Sequence, residues 1–239
     1  MTTADQHGDT SRSEALTAEI CAELPTTPTD PVEICRYLGY PQGVTPAPRM
    51  AERIAQVVEQ TRPHLRPRGA YAVYAVSSLT ANSLNLNGTT ITGRIGEFMT
   101  DSDRVAVFAV TVGEEISRLA EAAAKSGDAL AACVMDATGS WAAEGAAEAL
   151  MLRIRRHLKE QEELTLRYSP GYCGMEIDQQ RNLFQLVQAD SVGVTLMPSM
   201  LMHPLKSISG LVGFAPKATV NHSYSPCDIC PRVGCHMRR

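Results

Sequence analysis

The run VAVFAVTV, residues 105–112, constrains this chain more than any other stretch. Valine, phenylalanine and alanine occupy both sides of its two-residue period, so it reads as a strand buried on both faces. YAVYAV (71–76) is a second β-rich run. Between them, LNLNGTTIT places Asn87-Gly88 inside an alternating pattern, which predicts a tight hairpin. Further along, VGVTLM (192–197) and ISGLVGF (208–214) read as two more strands, joined by PSMLMHPLKS.

Helical patterns lie around these runs. Asp30 starts and Gly39 stops a short helix from Pro31. Met50, Ile54, Val57 and Val58 mark one face of a helix ending before Pro63. A helix from Glu114 to Lys125 closes at Gly127, and a second runs from Asp128 to Glu163, with a break expected at Gly139. Asp178 is expected to cap a helix through Gln188. Strands and helices mix without regular βαβ alternation, which predicts an α+β domain rather than a doubly wound one. The expected organisation is a flexible N-terminal arm over 1–28, one domain over 29–220 and a cysteine-rich tail over 221–239.

Hydrophobic content of 44% gives such a domain ample core. A net charge of −4 supplies no basic field for nucleic acid or anionic membrane. No apolar run approaches the roughly 20 residues a membrane span needs. The polar N-terminus lacks the apolar core of a secretion signal, so the expected location is the cytoplasm. The seven cysteines are an odd number, which argues against a disulfide framework.

Four stretches could carry chemistry. RYSPGYCGM (167–175) combines a guanidinium, a rigid Pro-Gly turn and a phenol. It is either one wall of a small-molecule site or a turn whose arginine caps the preceding helix. GSWAAEGAAEAL places Glu144 and Glu148 at i, i+4, either as a solvated face or held for a cation. PSMLMHPLKSISG sets His203 and Lys206 among serines at strand ends, without a compelling Ser/His/Asp order. CDICPRVGC spaces Cys227, Cys230 and Cys235 as C-x2-C-x4-C. Thiolates suit zinc or an iron–sulfur cluster, with Cys173, His222 or His236 as a fourth ligand; the alternative is unliganded thiols.

In this order, RYSPGY, QQRNLFQLV and GVTLMPSMLMHPLKSISG resemble the activation domain of cobalamin-dependent methionine synthase. With the cysteine tail, and with RYLGY, VFAVTVGEEI and DATGSWAAEGAAEAL, the likeness is closer to short stand-alone proteins built around that domain. The resemblance covers about residues 31 to 239. It implies a single C-shaped α+β domain whose mostly antiparallel sheet is flanked by helices. It also implies a groove for S-adenosylmethionine contacted by Glu144, Arg167, Ser169, Gly171 and Tyr172, with a further family acid at Glu162 or Glu163. His203, Lys206, Ser207 and Ser209 would lie in a loop facing the corrinoid of a partner methyltransferase.

The implied role is reductive methylation of cob(II)alamin on that partner, with flavodoxin or ferredoxin as electron donor. Two other readings remain: an iron–sulfur redox activator using Cys227, Cys230 and Cys235, and a non-catalytic module that binds a corrinoid protein.

Overall fold

A computed structural model describes residues 14–41, 43–221, 227, 230 and 234. At its centre, β2 (Arg68–Leu79) pairs antiparallel with β5 (Arg104–Thr111), setting Tyr71 opposite Phe108. The expected hairpin forms as β3 (Ser83–Leu86) and β4 (Thr89–Thr92). Asn87 and Gly88 both adopt positive φ at its tip, the geometry that two-residue hairpin turns require. β2 reaches this hairpin past a register shift between Val76 and Ser78. On the far side, β5 pairs with β9 (Ser207–Pro216), which pairs in turn with β6 (Glu162–Leu164). Every pairing is antiparallel. The result is the expected α+β fold, a mostly antiparallel sheet flanked by helices.

Residues 1–28 had read as a loose arm, yet Thr17–Cys21 is a strand, β1, on the open edge of β2. Side chains far along the chain hold it there. Tyr71 donates its hydroxyl to Glu19 at 2.8 Å, and His157 Nε2 lies 2.7 Å from the same oxygen.

As expected, β5 is covered on both faces. Phe108, Val110 and Val212 pack against α5 (Ala129–Ile154) through Ala143, Ala147 and Leu150. On the other face, Val105, Val107 and Ala109 pack with the hairpin and with Leu183, Leu186 and Val187. The first half of α5 has a second neighbour, formed by α1 (Pro31–Tyr37) and α2 (Pro48–Thr61). A helix with neighbours on two sides must be apolar nearly all round, and its alanines let those neighbours come close. Asp128 caps its first turn by accepting from the Ala131 amide at 2.9 Å.

Gly139 does not break this helix. A Cβ there would sit 2.9 Å from Ile116 Cγ2, on α4 (Glu115–Lys125), and 3.0 Å from Lys206 Cγ. The glycine marks a close approach. The helix ends at Ile154 rather than Glu163, because residues 162–164 leave it to pair with β9. Other expectations shrink. A one-turn α3 (Ile95–Phe98) follows the hairpin. The helix expected from Asp178 is only α6 (Gln180–Phe184), and Asp178 does not cap it. VGVTLM forms only β7 (Thr195–Leu196), paired with β8 (Met202–His203).

Candidate functional site

The RYSPGY loop is fastened to β9 at Tyr168, which exchanges backbone hydrogen bonds of 3.0 and 2.8 Å with Leu211. Its ring is buried and stacks on Phe98 with centroids 4.0 Å apart. The hydroxyl accepts from the Arg94 amide at 3.0 Å and donates to the Cys173 carbonyl at 3.1 Å. Burial pushes the Tyr168 phenol up from its ordinary pKa, so it stays protonated and remains a donor. Beyond it, the Gly171 amide donates to Met175 at 2.8 Å and the Met175 amide to Tyr172 at 2.9 Å. Gly171 takes φ +85°, the left-handed conformation this bend needs. Gly210 supplies the clearance on the sheet side: a Cβ there would lie 2.7 Å from Ser169 Oγ and 2.8 Å from the Tyr168 carbonyl.

A cleft of about 590 Å3 opens between this loop, α5 and the segment before β9. Glu144, Arg167, Ser169, Tyr172, Ser207 and Ser209 all line it. Arg167 does not cap a helix. Its Nη2 donates to Glu144 Oε2 and to Glu148 Oε1, each at 2.9 Å. Glu148, singled out in the sequence only for its spacing, therefore belongs to the cleft.

Four large apolar side chains stand exposed around the mouth: Tyr172, Ile177, Leu201 and Leu205. Periodicity could not reveal them, because they sit in irregular segments or, for Ile177, at the start of a single 3-10 turn.

Of the four residues expected in the corrinoid-facing loop, Ser207 and Ser209 line the cleft and His203 and Lys206 do not. Gly171 shapes the bend and is not part of the wall. Lys206 reaches back to α5, bonding Ser140 at 2.9 Å and Asp136 at 2.7 Å, and its side chain is only 13% exposed. Ser209 is buried and donates to Gln180 at 2.9 Å, while Ser207 donates to the Pro204 carbonyl at 2.7 Å. Of the four loop residues, His203 is the one exposed; its Nε2 is 3.7 Å from Glu114. Glu162 and Glu163 are on β6, paired with Arg104 and Arg155, and line no part of the cleft.

Cys227 and Cys230 lie within the described residues; Cys235, His222 and His236 lie outside them. Burial, then the neighbouring Cys230 and Cys227 thiols, push Cys173 above its ordinary pKa. Among the described residues, no helix is long and apolar enough to cross a membrane.

The fold and cleft define a class: α+β domains with a mixed-charge groove beside the last long strand of an antiparallel sheet. The sequence model of the vitamin B12-dependent methionine synthase activation domain matches residues 95–224, and the chain belongs to that family. A solved structure described as the MetH reactivation domain bound to AdoHcy superposes with a TM-score of 0.58. It is 17% identical, and the match covers 88% of this chain and 85% of that one, which supports the shared fold. No curated protein matches the chain.

Proposed function

We propose that the cleft binds S-adenosylmethionine and that the chain serves as a stand-alone reactivation subunit docking on a separate corrinoid methyltransferase. One observation carries this: Arg167 held by two carboxylates over an open cleft, with Tyr172 at the rim. A guanidinium matches the ligand's carboxylate in a planar fork. The acids leave one negative charge in excess, which suits a ligand bearing both an ammonium and a sulfonium.

S-adenosylmethionine supplies the methyl group that traps reduced cobalt on the partner, the electron coming from a flavodoxin- or ferredoxin-type donor. This chain's residues then have three tasks. Arg167, Glu144 and Glu148 orient the amino-acid end. The Ser169–Tyr172 turn offers backbone groups and an aromatic face to the rest. The apolar mouth at Leu201 and Leu205 suits a docking surface that excludes water from the transfer. The cysteine tail is the feature shared with the stand-alone group.

The test is reactivation. A cobalamin-dependent methionine synthase lacking its own activation domain is oxidised to the cob(II)alamin state, then given reductant, S-adenosylmethionine and this chain. Recovery of the methylcobalamin spectrum only when all three are present is expected. No recovery above the chain-free control would refute the proposal.

A further inference from the structure

A second cavity shares no lining residue with the cleft. It encloses about 410 Å3 between α1, α2 and the loop that joins them. Ligand pockets run from roughly 300 to 1,000 Å3, so this is space for a small molecule. Its walls fall within residues 29–59, before the 95–224 stretch that matches the family.

The buried part of the wall is Ile34, Cys35, Ile54 and Val58, which belong to the cluster that α1 and α2 form with Ala131, Val134 and Ala137 of α5. Val32 and Val44 also line the cavity, yet they are 65% and 50% exposed. Water against such walls is unfavourable, and an apolar guest would displace it. Pro31, Pro41 and Pro46 fix the backbone around the space, so little ordering is left for a guest to impose. Arg36 and Glu59, which line it, are already matched. Arg36 donates to both Glu33 oxygens, at 2.7 and 2.8 Å, and Glu59 accepts from Arg62 at 3.1 Å. Burial pushes the Cys35 thiol above its ordinary pKa, so it too stays uncharged. A charged guest would lose water here and find no partner, while an uncharged one would not. Thr29, Tyr40 and Thr45 in the lining carry neutral hydroxyls, the chemistry that meets one polar end.

We propose that this cavity is a binding site for a small uncharged molecule, an apolar chain or ring ending in one hydroxyl-type group. The site does not depend on what the cleft binds.

The full chain is titrated with Nile red, an uncharged dye that brightens on leaving water. Saturable binding is expected, and decanol should displace the dye. Decanoate should displace it at least about 10-fold less well, because its carboxylate meets cations that are already paired. Ala55→Trp, at an exposed position on α2, fills the cavity without entering the core, and Val44→Glu puts a charge on the loop wall. Either should remove saturable binding while melting like ligand-free wild type. Decanol should raise the melting temperature of the wild type and of neither variant, since a ligand stabilises only the state that binds it. S-adenosylmethionine should leave the dye in place, so failure here and failure at the cleft are read separately. The proposal falls if nothing binds saturably, if decanoate competes as well as decanol, or if the folded variants bind like wild type. Dye released by Leu205→Glu but not by Ala55→Trp would lie at the cleft mouth. A dimer broken by Ala55→Trp, in a protein that takes up no dye, would give the cavity to a second copy. Either result would also overturn it.

Discussion

Arg167→Ala separates binding from folding, because the two effects differ in size. In the ligand-free protein the guanidinium bridges Glu144 and Glu148, whose side chains are 42% and 68% exposed. Ion pairs that wet contribute roughly 0–1 kcal/mol each. Removing the arginine should therefore cost folding stability only about 1 kcal/mol, and part of that is returned as both carboxylates rehydrate. The bound state loses more. A hydrogen bond to a charged group contributes about 1.5–3 kcal/mol, and here two acids would also be left unbalanced beside the ligand's carboxylate. At 1.4 kcal/mol per factor of ten, affinity should fall about 10- to 150-fold. Equilibrium dialysis with labelled S-adenosylmethionine reads the affinity, and a thermal melt reads the fold. A folded variant that binds as tightly as wild type would refute the pairing of guanidinium with ligand carboxylate. So would a wild type without saturable binding at millimolar ligand.

Three more outcomes follow from the geometry. Gly210→Ala pushes a methyl group into Ser169 and Tyr168, so overpacking of about 1–3 kcal/mol should lower the melting temperature; an unchanged melt would contradict the close approach. Burial would raise the Glu162 carboxyl, but the Lys159 amide and Arg104 outweigh it and hold it below the usual range. Its contribution is complete above the unfolded value of about 4.3 and is lost as pH falls through the lowered folded value. Acid titrations should therefore show Glu162→Gln with a weaker pH dependence than wild type below about pH 4. Leu205→Glu places a charge on the apolar mouth, so co-purification with a corrinoid partner should drop while S-adenosylmethionine affinity holds; equal capture would remove Leu205 from the docking surface.

What could be read in the sequence was whatever a short window decides. The Asn87-Gly88 turn and the two-faced burial of 105–112 are local facts, and both stand. β1 was missed because its place depends on Tyr71 and His157, far from Glu19 in the chain. Gly139 misled for another reason: glycine permits a bend and also permits a close neighbour, and only Ile116 and Lys206 decide between them. The same limit shaped the site. The i, i+4 spacing of Glu144 and Glu148 signalled one face of α5 but not which cation would meet it. Lys206 carries a motif letter that suggested an outward role, yet Asp136 and Ser140 on α5 hold it inward. A motif fixes which side chains a loop carries, while the packing partner fixes where they point.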